Sequence, residues 1–336
     1  MFTPALTLLR KALPDAQIDA LVMFKGVKDM YERNPKINNV YYFDFMKEGP
    51  AQSFRFILGL RKKYDASVNV YPSNRKEYNI INFLIGAKKR AGVKYLRANG
   101  KELGFLNNVG IIENDSLHNV QENIRLVEKL LNKKFDEEPE LDFPLNNEDL
   151  KAADNYIDNL ELTGNDLVIG FHPGSATLKN HINRRWEPEK FIELGVKIIQ
   201  KLNAKIFIFG GPEEDELKRR ITDGINLPGA YKIETKNLSG SAAIIRRCNV
   251  FVSNDSSLMH VAAAMQRKVV AIIGPTNTDY IHPWKTEYKI VSLHLDCSPC
   301  FIYSPRPLIC FRDDVKYKCI KELDVDMVYE EVKKFI

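Results

Sequence analysis

Val252-Ser253-Asn254-Asp255-Ser256-Ser257-Leu258-Met259-His260 carries a β-rich run into polar residues and then straight into a helix. A strand that stops in small polar residues at the mouth of a helix is the βα turn of a parallel sheet. The same pattern recurs on both sides. Residues 167–171 read as an apolar strand ending in His172-Pro173-Gly174-Ser175. Residues 205–209 read as another, ending in Gly210-Gly211-Pro212, and residues 268–273 as another, ending in Gly274-Pro275-Thr276-Asn277. Helical stretches at 189–202, 213–222, 241–247 and 256–265 separate them, and the strand of the opening segment covers 249–252. In open parallel sheets ligands bind outside the carboxyl ends of the strands. Every one of these Gly-, Ser- and Asp-bearing turns lies at that edge.

The first half follows the same alternation. Thr3-Pro4 reads as a helix N-cap with Pro at N1, opening a helix over 5–13. Strands are expected at 18–24, 40–45 and 66–71, and helices at 78–87 and 119–131. From 132 to 165 acidic and amide residues dominate, with Pro139 and Pro144 interrupting the pattern. The interdomain connection is placed there, with one helix near 148–160. A chain of 336 residues accommodates two such domains. No internal repeat or low-complexity segment stands out.

Hydrophobic residues make up 44% and charged residues 28%, the composition of a soluble globular chain able to bury two cores. The net charge of +5 does not single out nucleic acid. It suits contact with phosphates or an anionic membrane surface, and equally a scatter of surface lysines. No run approaches the ~20 apolar residues that span a bilayer. The first ten residues lack the charged start and apolar stretch of a signal peptide. A cytoplasmic protein is expected, in which five cysteines stay reduced. Cys297 and Cys300 form a close pair, followed by Cys310 and Cys319 at looser spacing. They read either as a structural metal site or as free, partly buried thiols. Cys248, before a strand, reads as ordinary core.

Candidate ligand contacts follow from the turns. Asp255 is placed to cap the helix that starts after it, leaving the backbone N–H groups of Ser256 and Ser257 at the sheet edge. Such a helix mouth is a ready site for a diphosphate. Spacing alone leaves this open against a plain capped helix. His260, one turn in, either touches the ligand or packs within the helix. Gly174 and Ser175 form a small-residue turn that lets backbone approach a phosphate. Arg184, about ten residues further on, offers a cation to a departing diphosphate. The bland alternative is a basic surface turn, with Trp186 a core anchor in either case. Glu213 and Glu214 open a helix after the third turn. They either accept ribose hydroxyls or simply answer the helix dipole.

Taken in order, several segments resemble the ADP-heptose:lipopolysaccharide heptosyltransferase family, glycosyltransferase family nine. They are Phe171-His172-Pro173-Gly174-Ser175, Arg184-Arg185-Trp186 and Phe209-Gly210-Gly211-Pro212-Glu213. Asn237-Leu238-Ser239-Gly240, the segment from Ser253 to His260, and Gly274-Pro275-Thr276-Asn277 complete the set. In the first half Thr3-Pro4-Ala5-Leu6, the stretch from Leu13 to Asp19, Asn34-Pro35 and Lys63-Tyr64-Asp65 continue the likeness. The resemblance implies an α/β GT-B fold of two Rossmann-like domains facing a cleft. An acceptor domain would cover 1–160 and a nucleotide-sugar domain 161–324, with a helix over 325–336 packing back on the first domain. It implies inverting, metal-independent transfer with no cofactor. A heptose-like sugar would pass from a nucleotide-sugar donor, ADP-heptose, to a lipid-linked lipopolysaccharide core or related cell-envelope glycan. The partners implied are the donor, that acceptor and the cytoplasmic face of the inner membrane.

Carried over position by position, Ser175 and Arg184 match diphosphate contacts, many members having Lys in place of Arg184. Asp255, Ser256, Ser257 and His260 match the central donor motif, where many members carry Thr and Gly in place of Ser256 and Ser257. Family members also open with a strand and a Gly-Asp pair just before the Thr-Pro-Ala-Leu helix, and that Asp is the general base. This chain opens on Met1-Phe2-Thr3, and neither Asp44 nor Asp65 takes its place. Impaired transfer with intact donor binding is therefore expected of this chain. The competing reading is a non-catalytic nucleotide-sugar-binding relict. A nucleotide-sugar epimerase would need carboxylates and a His facing the sugar from both domains, and no such set is evident.

Overall fold

The computed structural model describes residues 1–73, 75–96, 99–301 and 307–336. Among the described residues the chain divides into two compact units, Met1–Asp142 and Phe143 onward. The break falls within the 132–165 stretch. The helix Asn147–Asp158 packs on the helix Leu238–Ile245 and belongs to the second unit, so the expected boundary at 160 moves upstream. Asn146 and Asp149 close a capping box at its start, which sets the helix beginning independently of either unit.

In the first unit β1 (Asp19–Val22) pairs parallel with β2 (Asn39–Tyr42), and β3 (Ala66–Val68), β4 (Lys89–Lys94) and β5 (Val109–Ile112) form a separate parallel sheet in that order. Among the described residues no strand joins the two pieces. Each carries its own small core. Ile57, Leu60 and Ile85 gather Leu21 and Tyr41 from the first sheet. Tyr71, Ala91, Val93, Tyr95, Leu126 and Leu130 serve the second. The helix Thr3–Ala12 starts one residue earlier than a Thr3 cap requires. Phe2 takes the cap position without a side-chain bond, and the Thr3 hydroxyl instead accepts the Asp142 amide at 3.0 Å. The helix Asn119–Leu131 is set at both ends, by a His118–Gln121 capping box and by Asn132 in the left-handed region.

The second unit is one six-stranded parallel sheet. Its strands are β6 (Val168–His172), β7 (Lys205–Ile208), β8 (Ala230–Lys232), β9 (Val250–Asn254), β10 (Lys268–Ile272) and β11 (Tyr288–Val291), in the order β11-β10-β9-β6-β7-β8. Every residue of β6 and β9 is buried, as befits central strands covered on both faces. The helix Pro188–Leu202 lays Phe191, Leu194, Gly195 and Ile198 against that sheet, and Asn203 in the left-handed region ends it.

The C-terminal helix Val325–Lys333 departs from expectation. It packs on the helix Pro188–Leu202, on β10 and on β11, within the second unit's own core. Val325, Val328, Tyr329 and Val332 form one apolar stripe at helical spacing, and all four are buried there. The Trp186 indole N–H donates to the Leu323 carbonyl at 2.9 Å, which fixes the approach to the helix. The stripe finds its partner in its own unit.

Candidate functional site

β6 and β9 are adjacent, yet the chain leaves β6 toward β7 and β8 and leaves β9 toward β10 and β11. The connections part at this junction and open a crevice at the carboxyl ends of the two strands. Four of the sequence's polar turns converge on it.

His172 is the last residue of β6 and is buried. Its Nδ1 lies 2.7 Å from the Ser256 hydroxyl and its Nε2 3.1 Å from Glu214 Oε2. Glu214 closes the short turn after β7. Its carboxylate also accepts from Arg185 at 2.8 Å and from the Gly211 amide at 3.2 Å. Burial alone would raise the Glu214 pKa. The hydrogen bond from His172, the Gly211 amide and the Arg185 charge outweigh it and hold the carboxyl below its usual range.

Beside this set lies a buried ion pair, Arg184 with Asp255 at 2.5 Å. The Thr276 hydroxyl, from the loop after β10, donates to the same carboxylate at 2.7 Å. The Arg184 guanidinium stacks 5.3 Å from the Phe301 ring centroid, while its Nε is buried with no partner. Asn254 ties the turns together, accepting the Trp186 amide at 3.0 Å and donating to the Pro173 carbonyl at 2.7 Å.

Several of the roles expected from sequence change in this light. Asp255 does not cap the helix Ser257–Ala264. Arg184 and Thr276 hold its carboxylate elsewhere, and Ser256, the N-cap residue, has its hydroxyl at His172 and makes no side-chain cap bond. The first-turn N–H groups therefore carry no side-chain cap, as an anion site requires. Gly174 is small for a different reason from the one expected. A Cβ there would sit 1.8 Å from Glu214 Oε1, so the residue makes room for a carboxylate of the protein itself. Glu214 is internally bonded and organises the site, whereas Glu213 is exposed. The Ser175 hydroxyl donates to the His181 carbonyl at 3.2 Å, and its own carbonyl accepts from Arg185 at 2.6 Å. Ser257 is exposed at the helix mouth. His260 is half-buried one turn in; its Nδ1 has no partner, and burial pushes its pKa down to about 3.

His172, Arg185, Asn254 and Thr276 went unassigned from sequence. Their signal was position alone: each stands at, or just past, the carboxyl end of a strand or inside a turn already singled out. A cavity of 660 Å³ lies at the opposite, amino-terminal edge of the sheet, lined by Arg267, Lys268 and Lys285 among others, and has no part in this cluster.

The cysteines are all free thiols. Burial, reinforced by the other three nearby thiols, pushes Cys319 up to about 11. Among the described residues no group of three or more His, Cys, Asp or Glu is disposed to hold a metal ion. Cys248 is fully buried, and burial raises its thiol pKa. Among the described residues no helix is long and apolar enough to cross a membrane.

A family model for glycosyltransferase family 9 (heptosyltransferase) matches residues 54–306. Lipooligosaccharide heptosyltransferase 2 of Campylobacter jejuni (serotype O:6) is 32% identical over 183 residues, covering 52% of this chain and 53% of that protein. The chain thus spans about half the length of that relative. Lipopolysaccharide heptosyltransferase 2 of Escherichia coli K12 is 26% identical over 302 residues, covering 85% of this chain and 82% of that one. The solved structure of E. coli ADP-heptose lipopolysaccharide heptosyltransferase II superposes with a TM-score of 0.73 at 19% identity, covering 99% of this chain and 93% of that one. At that identity the likeness shows a shared fold.

Proposed function

The chain belongs to glycosyltransferase family 9, the heptosyltransferases, and on that footing we propose that it binds a nucleotide-sugar donor, ADP-heptose, and transfers the sugar to a lipopolysaccharide core or related cell-envelope glycan. The observation that carries this reading is the uncapped mouth of the helix Ser257–Ala264 at the β6/β9 junction, beside the buried Arg184 whose Nε lacks a partner. A diphosphate placed there meets first-turn N–H groups and a desolvated cation together. Glu213, exposed past the end of β7, is the carboxylate available to a ribose hydroxyl. As the glycosidic bond to the diphosphate breaks, the developing charge is answered by the helix mouth and by Arg184. An acceptor hydroxyl, relieved of its proton by a base, attacks the opposite face of the sugar and inverts it, with no metal needed. The protein would work in the cytoplasm, at the inner face of the membrane that holds its lipid-linked acceptor. Its net charge of +5 favours an anionic surface.

A second reading is donor binding without transfer. It needs only the helix mouth and the buried Arg184 on which the donor reading itself rests. One pair of assays separates the readings. Calorimetry with ADP-sugars measures donor binding, and sugar transfer to a deacylated core oligosaccharide measures turnover. Arg184→Ala should lower turnover more than nucleotide affinity, since its charge matters most as the leaving group forms. Donor binding with no detectable transfer selects the second reading, and absence of both defeats the two together.

A further inference from the structure

Resting on the reading that a diphosphate binds at this helix mouth, we propose that His172 is a positioning residue for the donor: its ring takes up a proton from solvent as the nucleotide-sugar binds, and this turns the Ser256 hydroxyl proton toward the diphosphate.

Glu214 is an acceptor when ionised, so the His172 Nε2 facing it carries the hydrogen. In a neutral ring Nδ1 is then a bare acceptor, and Ser256, 2.7 Å away, must spend its one proton on it. Ser253, whose hydroxyl lies 3.1 Å from that of Ser256, gives it no proton, because its own donates to the Asn254 carbonyl at 2.7 Å. In that state Ser256 shows the crevice only lone pairs, which repel a phosphate oxygen. A second proton on the ring reverses the bond. Nδ1–H donates to Ser256, and the released serine proton can turn from the Ser253 oxygen at 3.1 Å to a phosphate oxygen, the stronger, charged acceptor. Ser256 is only half-buried, so it can reach a ligand, whereas Ser253 is fully enclosed.

The charges around the ring favour this uptake when an anion arrives. Glu214, on the segment after β7, bonds the ring directly; Lys218 follows on that segment, Arg184, Arg185 and His181 lie on the loop after β6, and Asp255 at the end of β9. Arg184 pairs with Asp255, Arg185 with Glu214, and Lys218 with Asp215 at 3.5 Å. The cluster is thus balanced before ligand binds, with His172 uncounted. An incoming diphosphate diester tips it negative, and the imidazole between Glu214 and Ser256 is placed to answer.

The test is isothermal titration of the full chain with ADP-glucose, whose diphosphate diester does not itself titrate over the range used. Two buffers of different ionisation enthalpy report protons taken up on binding. Affinity should rise about tenfold from about pH 8 to about pH 5.5 with net proton uptake, the scale of one hydrogen bond to a charged group within the range where imidazoles titrate. His172→Asn, which cannot take that proton, should bind more weakly, with the pH slope and the uptake gone. His172→Gln serves if the first variant does not fold. Ser256→Ala should also lose the response with the imidazole intact. A wild type that binds without pH dependence, or a His172 variant that keeps the full slope and uptake, overturns the proposal. If the wild type binds neither ADP-glucose nor ADP, the donor-site reading itself falls, and this inference with it.

Discussion

Asp255→Ala should destabilise the second unit far more than the loss of a helix cap would. A cap removed from an exposed helix end costs about 1 kcal/mol. The structure puts Asp255 in a different role, paired with Arg184, with the two side chains only 8% and 9% exposed. Removing one partner of a buried pair strands the other charge and costs about 3–5 kcal/mol. The Thr276 hydroxyl loses its acceptor as well. The measurement is urea unfolding followed by tryptophan fluorescence. Both tryptophans, Trp186 and Trp284, lie in the second unit, so the signal reports on that unit even if the first melts separately. A paired replacement, Arg184→Met with Asp255→Leu, should recover much of the loss, because apolar side chains of similar volume can replace a buried pair at little net cost. A loss of about 1 kcal/mol or less for Asp255→Ala, the size of a cap, or a double variant as unstable as the sum of its singles, would refute the assignment.

Gly174→Ala places a methyl group where Glu214 Oε1 sits and should cost about 1–3 kcal/mol; donor affinity measured by calorimetry should fall with it, since the carboxylate organises His172 and Arg185. Glu214 has a lowered folded pKa, so its stabilisation is fully present above the ordinary carboxylate range and is lost as pH falls through that lowered value; Glu214→Gln should flatten the acid limb of a stability-versus-pH curve, and an unchanged limb would count against the His172–Glu214–Arg185 network. Hydrogen exchange should open the first unit before the second. In β1 only Val22 is buried, whereas β6 is buried throughout. Slower exchange in β1 and β2 than in β6 and β9 would contradict this.

The second unit is legible in the sequence because its central strands are buried on both faces. A parallel strand of that kind must be an unbroken apolar run, and such runs stand out at 167–171 and 268–273. The first unit hides more. Lys89-Arg90-Ala91-Gly92-Val93-Lys94 is bounded by charges, and its apolar segment is too short to show a period, yet it is the middle strand of its sheet. In the second unit the two edge strands escape the same reading: β8 has no fully buried residue and β11 opens on two exposed ones.

The order of strand, turn and helix, and so which turns lie at the ligand-binding edge, is legible along the chain. So are the ordered motifs of the family. Both are properties of neighbouring residues, read off hydrophobic spacing and turn chemistry. Which side chains meet inside the crevice was decided only by the tertiary structure. Asp255 before a helix reads locally as a cap, and it is a cation 71 positions away that takes its carboxylate. Glu214 reads as a helix-dipole carboxylate, and it is His172, 42 positions upstream, that binds it. The final helix shows its apolar stripe in sequence, but not the surface that covers it. A polar group's partner is set by whatever the folded sheet brings within about 3 Å, and no local spacing encodes that distance.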